Sequence, residues 1–462
     1  MRRRTIRRGP HLRRTLVAVA AAATFALTAA PAVAGPGPAP DTGGPGRHGP
    51  HDPRRGAPSP RDLALARQTL RPGDGWGSAG AGTTGGSAAL TPVVVSTRAE
   101  LVAAVAGDEP KIVLVRGTID ANTDDEGHPL TCADYARDGF SYDDYLAAYD
   151  PQVWGRDTEP SGPVEDARVA SAAAQRARIE IRIGANTTLV GLPGAEITGA
   201  ALQVRDVRNV IVRGLTLTDA YDCFPAWDPT DGELGNWNSE WDLLTVYGAT
   251  NVWIDHNDLS DGDNLDAAQP VAFGRPMQAH DGLLDVVRAS DQVTISWNRF
   301  HDHDKVMLIG NSDSRTTDRG LLRVTLHHNE FRDLGQRTPR VRFGQVDVYN
   351  NSYVASPRDD YEYVYSWGLG VESRLVAEKN AFTGPFDPSS VIGLYKGTAL
   401  TERGNVVNHR PVDLLAAYDA AHGTDVGSDA GWRPTLRREV HPAAAVPAVV
   451  GHRAGPSGLP GR

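Results

Sequence analysis

Seven short segments of one design recur along the middle of the chain: Asn209-Val-Ile-Val, Asn251-Val-Trp-Ile, Gln292-Val-Thr-Ile, Arg323-Val-Thr-Leu, Gln345-Val-Asp-Val, Arg374-Leu-Val-Ala and Ala399-Leu-Thr-Glu. In all but the first, an asparagine follows at the same offset: Asn257, Asn298, Asn329, Asn351, Asn380 and Asn405. Asparagine tolerates left-handed backbone and can hydrogen-bond along a stack of identical turns, so it suits a repeated corner after a β-strand. Each segment alternates apolar residues that a lone strand cannot bury, and stacking successive units buries them. The expectation is an all-β chain, a parallel β-helix, with short helices near the N-terminus at residues 96–106 and 141–149. A β-propeller needs four strands per blade and a more regular period. The units here shorten after Gln292, which disfavours it.

The N-terminus reads as a removable segment. Seven arginines and no acid up to Arg14 precede an apolar run and Ala32-Val-Ala34, the layout of a secretory signal over residues 1–34. Residues 35–62, rich in Pro and Gly, are expected to form a disordered linker. The β-helix domain is expected over 63–440, with a C-terminal tail at 441–462. No apolar run is long enough for a convincing membrane span. Loss of residues 1–34 would take the formal charge from −10 to −17. That sign makes the chain a poor candidate for general nucleic-acid binding, and no nucleic-acid partner is expected. An exported, soluble monomer is expected. Cys132 and Cys223, the two cysteines, fit one disulfide in such a protein; two buried free thiols are the alternative. The Gly-rich stretch 77–86 lacks a GK[ST] ending and a preceding strand, so it reads as loop.

Two clusters carry chemistry. Asp281 and Asp285, with Asp242 and the nearby Glu240, would be surface acids if isolated. Residues of adjacent β-helix turns lie side by side at strand spacing, so they could instead supply the oxygen ligands of a calcium site. Downstream, Gln336-Arg-Thr-Pro-Arg-Val-Arg342 holds three guanidinium groups, with Lys305 one turn earlier. Arginine binds carboxylate bidentately, so this strip suits a carboxylated substrate. His301 and His303 lack a third ligand at a metal spacing and read as loop-anchoring hydrogen bonders. Of His327 and His328, one is expected inside the core.

Taken together, Val252-Trp-Ile-Asp-His256, Asp281-Gly-Leu-Leu-Asp285, the run from Val293 to Lys305, Leu326-His-His-Asn329 and Gln336 to Gly344 resemble the pectate lyases of polysaccharide lyase family 1. The resemblance covers about residues 111–405 and includes Asn186-Thr-Thr-Leu-Val-Gly191. It implies a right-handed parallel β-helix that cleaves de-esterified polygalacturonate by calcium-dependent β-elimination. By the same resemblance Asp242, Asp281 and Asp285 match calcium ligands and Glu240 a variable fourth acid. Arg337 matches the proposed base, and Lys305 and Arg342 match cations that hold substrate carboxylates. The Trp-Ile-Asp-His segment is read as a structural cluster outside the site. Gly214 stands where such proteins often carry Asn, which questions the Asn ladder at that turn.

The chemistry follows from the substrate. Elimination removes the C5 proton beside a carboxylate, and cations that neutralise the carboxylate stabilise the enolate-like transition state. Arginine is ordinarily protonated, while clustered like charges favour a neutral form, so alkaline activity is expected. Two rivals remain. A metal-free pectin lyase acting on methyl esters would replace the three aspartates with cations, and a non-catalytic carbohydrate-binding β-helix would not need Arg337 and Lys305 facing acids.

Overall fold

The computed structural model describes residues 57–357 and 361–460. The expected signal segment and most of the expected linker lie outside the described residues. What is described is a right-handed parallel β-helix whose coils contribute strands to three parallel stacks. One ten-stranded stack runs from Val93–Val95 through Arg208–Arg213, Thr250–Asp255, Asp291–Ser296, Val324–His327 and Gln345–Tyr349 to Leu400–Arg403. All seven repeated segments fall in it. A second ten-stranded stack includes Asp258–Ser260, Arg299–Lys305 and Glu330–Gln336. The eight-stranded stack is Glu180–Arg182, Ala201–Arg205, Leu244–Tyr247, Leu284–Val287, Leu308–Ile309, Arg340–Val341, Trp367–Leu369 and Ile392–Leu394.

Register is exact enough to stack like on like. Val252, Val293, Val324 and Val346 pair in succession, as do Ile254, Ile295, Leu326 and Val348, and all lie in one continuous interior core. On the second stack Phe300, Phe331, Tyr353 and Phe382 form a column with ring centroids 5.1, 5.0 and 4.4 Å apart. At the corner between the two ten-stranded stacks the asparagines are all fully buried. Each donates Nδ2 to the next one's Oδ1, from Asn257 to Asn298 (3.0 Å), Asn329 (3.0 Å), Asn351 (2.9 Å), Asn380 (3.2 Å) and Asn405 (3.1 Å). The ladder begins at Asn257. Asp255 pairs with Arg213, so the position below Asn257 is Leu215 rather than Gly214. Leu215 donates its backbone N–H to Asn257 Oδ1, 3.1 Å.

The ends and faces are covered. Helix Arg98–Val105 closes the first coil with Leu101 and Val105, and helix Leu414–His422 closes the last with Leu414, Leu415 and Tyr418. The expected N-terminal helices are present at Arg98–Val105 and Tyr142–Ala148. A longer one, Pro163–Ile179, escaped the sequence reading because its inward stripe of Ala167, Ser171, Ala172 and Gln175 is too small and polar to register as amphipathic. The Gly-rich loop straps the outside of the first ten-stranded stack. Gly77 and Gly86 donate to Thr294 and Thr188 Oγ1 at 2.9 Å, and Trp76 to Thr325 Oγ1 at 3.1 Å. A Cβ on Gly86 would lie 1.7 Å from the Lys111 carbonyl, so only glycine fits there.

Two sequence expectations need correction. Of the expected tail, the described residues 441–460 are packed rather than free: helix Val446–Arg453 presents Val446 and Val450, with Ala454 just beyond it, to Ala381 and Val406, a four-residue spacing that places them on one face. Neither His327 nor His328 enters the β-helix interior. Val324 and Leu326 take the inward positions, and both histidines are buried outside the stack, where His328 stacks on Trp297 at 4.2 Å and meets His441. At the other end, Ser59 and Asp62 form a reciprocal cap on helix Pro60–Ala66, so ordered structure begins within the expected linker.

Candidate active site

The chain enters the eight-stranded stack at the same corner on each coil, one strand spacing, about 4.8 Å, above the last. Asp242, Asp281, Lys305 and Arg337 sit at four successive entries, each two or three residues before its strand. Lys305 also pairs with Gln336 in the second ten-stranded stack, which sets Arg337 one residue beyond. Asp285 projects from the strand after Asp281 and pairs in register with Thr245. A repeated corner thus gathers residues up to 95 positions apart.

The three aspartates converge. A Cβ on Gly282 would lie 2.6 Å from Asp242 Oδ1 and 3.2 Å from Asp285 Oδ1, so the absence of a side chain there lets both carboxylates close over the backbone. Asp242 Oδ2 accepts from Thr245 Oγ1 at 2.8 Å, while its Oδ1 is buried without a hydrogen-bond partner. Asp285 Oδ1 accepts from the Leu308 N–H at 2.7 Å. Burial, then Asp285 and Asp281, push the Asp242 carboxyl well above the usual carboxylate range. Burial and the neighbouring Asp281 push Asp285 up to about 7. Burial also acts upward on Asp281, but Lys305, Arg337 and His303 outweigh it and hold Asp281 below its ordinary value. Crowded carboxylates with an orphaned buried oxygen are what a divalent cation relieves. The residues present fit a calcium ion.

Lys305 Nζ reaches Asp281 Oδ1 at 2.8 Å and Gln278 Oε1 at 2.7 Å. Arg337 adopts left-handed backbone with φ 63°, and its Nε is buried without a partner. Arg340 and Arg342 follow on the strand. Gly368 and Gly370 of the next coil leave them space, since a Cβ there would lie 2.8 Å from Arg340 Cγ or Arg342 Cγ. Arg340 Cζ stacks 4.0 Å from the Tyr395 ring centroid, and burial with Arg342 and Arg337 lowers its pKa. Arg342 Nε donates to Asp313 at 2.7 Å and its Nη1 to the Gly310 carbonyl at 2.8 Å.

Glu240 is not drawn into the carboxylate cluster. It is exposed and paired with Arg176 of helix Pro163–Ile179. The Trp-Ile-Asp-His segment lies on the other ten-stranded stack, where Asp255 binds Arg213 at 2.6 Å and Ser296 at 2.9 Å in full burial. Cys132 and Cys223 are joined in a disulfide. His301 is held by Asp258 and Asp302, each at 2.7 Å, as an anchoring role requires.

Two contributors escaped the sequence reading. Thr245 could have been found from its register with Asp285; Gln278, in an irregular loop, left no signal. His303 has the anchoring role expected of it: its Nδ1 meets Asp261 Oδ1 at 2.7 Å and its Nε2 meets the Asp281 carbonyl at 3.0 Å, fixing the backbone that carries Asp281. Asp261, Asp266 and His280 place three ligand atoms within 4.8 Å of one another. Their partners are already internal: His280 Nδ1 sits 2.9 Å from Asp266 and Tyr361 donates to Asp261 at 2.6 Å. Against the pull of burial, Asp261, Asp219 and Asp266 raise His280 to about 10. That group is an ion-pair network behind the site.

The pectate lyase family matches residues 162–425. A pectate lyase of Bacillus subtilis (strain 168) is 43% identical over 400 residues, 85% of this chain and 93% of the relative. The solved structure of a pectate lyase bound to a hexasaccharide superposes with a TM-score of 0.82 at 42% identity, over 86% of this chain and 99% of that one. A thermostable pectate lyase gives 0.84 at 43% identity over the same shares. Among the described residues no helix is long and apolar enough to cross a membrane.

Proposed function

Since the chain belongs to the pectate lyase family and is a polysaccharide lyase, we propose that it is an exported, calcium-dependent enzyme that cleaves α-1,4-linked polygalacturonate by β-elimination, leaving 4,5-unsaturated oligogalacturonates. The observation that carries this reading is the column of Asp242, Asp281, Lys305 and Arg337 on successive coils, with acids at one end and cations at the other.

Asp242, Asp281 and Asp285 would hold the calcium ion; the unpartnered Asp242 Oδ1 supports this. When bound, calcium neutralises substrate carboxylate and so acidifies the adjacent C5 proton. Lys305 and Arg342 grip carboxylates of neighbouring sugars, Arg342 after exchanging Asp313 for substrate. Arg337 takes the C5 proton on its guanidine nitrogen; the C5–H electron pair becomes the C4=C5 double bond as the C4–O bond breaks, and the leaving oxygen takes a proton from water. The buried, unpartnered Arg337 Nε supports that role. His303 orients Asp281 through its backbone. Residues 1–34 act as the export signal, the catalytic domain starts near residue 63, and the enzyme works as a monomer.

The metal-free pectin lyase reading is disfavoured by the three convergent aspartates. The test is growth of absorbance from the unsaturated product on de-esterified polygalacturonate, with and without chelator. Chelator-sensitive growth supports the proposal; equal growth on highly methylated pectin in the presence of chelator overturns it.

A further inference from the structure

Two guanidinium groups on the eight-stranded stack have no role in the chemistry above. Arg205 is the register partner of Tyr247, and its Cζ lies 4.0 Å from the Tyr247 ring centroid. On the other side, Arg288, just past strand Leu284–Val287, brings its Cζ within 5.6 Å of the same ring. A half-buried aromatic ring is thus held between two half-buried cations from the coils before and after it.

Among the described residues, neither cation has an ion-pair partner: no hydrogen bond or carboxylate within ion-pair distance is found for Arg205 or Arg288, and Arg288 Nε is buried with no partner. Asp318 feels the charge of Arg288 from beyond ion-pair distance; its Oδ1 accepts from the Ala289 N–H at 2.9 Å, and its Oδ2 is buried without a hydrogen-bond partner. Half-buried guanidinium groups without anions are unusual in a chain of net charge −10, where acids are plentiful.

The placement ties them to the site. Alternation along the strands puts Arg205 and Tyr247 on the same face as Gln203 and Thr245. Gln203 Nε2 donates to Thr245 Oγ1 at 3.1 Å, and Thr245 Oγ1 donates to Asp242 Oδ2 at 2.8 Å. The ring therefore stands two residues along the strand from a residue touching the carboxylate cluster, about 7 Å away.

We propose that Arg205, Tyr247 and Arg288 form an outlying subsite for uronate sugars: the guanidiniums take their carboxylates, and the ring, whose faces the guanidiniums cover, holds both in place. This rests on polygalacturonate being the substrate. No bond changes at the subsite, which holds the chain beyond the sugars flanking the cleaved bond. Only substrates long enough to reach it gain from it.

The experiment compares kcat/KM on polygalacturonate with kcat/KM on trigalacturonate, in the wild type and in the double variant Arg205→Gln, Arg288→Gln. The ratio of the two is internal to each preparation, so a fraction of unfolded enzyme does not distort it. Losing a charge-assisted contact should lower the ratio about tenfold, mainly through KM on the polymer. Arg205→Lys alone should keep most of the ratio at low salt. An unchanged ratio in the double variant, with both activities intact or both reduced equally, overturns the subsite and leaves the lyase reading standing. An inactive wild type on polygalacturonate overturns that reading, and the subsite with it.

Discussion

Lys305 Nζ lies 2.8 Å from Asp281 Oδ1, so the lysine assigned to substrate is already paired with an acid assigned to the metal. On the proposed assignment, an arriving cation and this ammonium would compete for one carboxylate. A substrate carboxylate would give the lysine a new partner and so couple metal occupancy to substrate binding.

Lys305→Ala should therefore separate the two events. Calcium affinity by calorimetry should hold or rise, because the competing charge is gone. Turnover on polygalacturonate should fall about 100-fold or more, with weaker substrate binding, since a cation acting on the developing charge is lost. Calcium affinity reduced in step with turnover would show that Lys305 builds the metal site rather than competing with it.

Asp285 offers a pH test. Its carboxyl is pushed up to about 7 by burial and by Asp281, against an unfolded value near about 3.9. Between these values the folded, metal-free protein binds more protons than the unfolded chain, so this group's contribution to stability falls as pH rises from about 4 to 7. In chelator, Asp285→Asn should flatten that decline in thermal unfolding scans at pH 5 and 8. Calcium binding by the wild type should release protons and weaken below pH 7. An identical pH profile in the variant would remove Asp285 as the cause.

Arg337→Lys keeps the charge but loses the planar fork and the reach. Turnover should drop by about 100-fold or more across alkaline pH, while binding of polygalacturonate, followed separately, survives. Near-normal turnover would move the base to another residue.

The asparagine ladder predicts a stability effect distant from the chemistry. Asn329 Oδ1 accepts from the Asn298 N–H and Nδ2, and its own Nδ2 donates to the Ile295 carbonyl and Asn351 Oδ1, all at 2.9–3.0 Å. Asn329→Leu leaves those buried groups unpaired and should cost about 3 kcal/mol or more. Denaturant unfolding measures it. A loss below about 1 kcal/mol would mean the coil rearranges to satisfy them.

The strand repeat was legible because its signal is local: alternation of apolar residues, then an asparagine, written once per coil. From it the stack of Arg208–Arg213 through Leu400–Arg403 follows directly. The other two stacks were harder to see, since Leu308–Ile309 and Arg340–Val341 are only two residues long and carry no pattern. Asp242, Asp281 and Asp285 could be named because acids flanking β-segments invite a stacking argument. Glu240 shows where that argument stops: its partner Arg176 comes from a helix whose position no periodicity encodes. Gln278 acts through a single contact made by loop geometry, which sequence does not display.

The glycine strap bears on the order of assembly. Trp76 bonds to Thr325, 249 residues further along, and Gly75 to the carbonyl of Leu436. Closing such long loops costs entropy that is recovered only once the coils beneath already exist. A segment that leaves the ribosome early is therefore among the last to find its seat. Until the coil of Thr325 has formed, the outer face of the stack stays bare, and the nascent chain spends its early life with that threonine row open to solvent or to a chaperone.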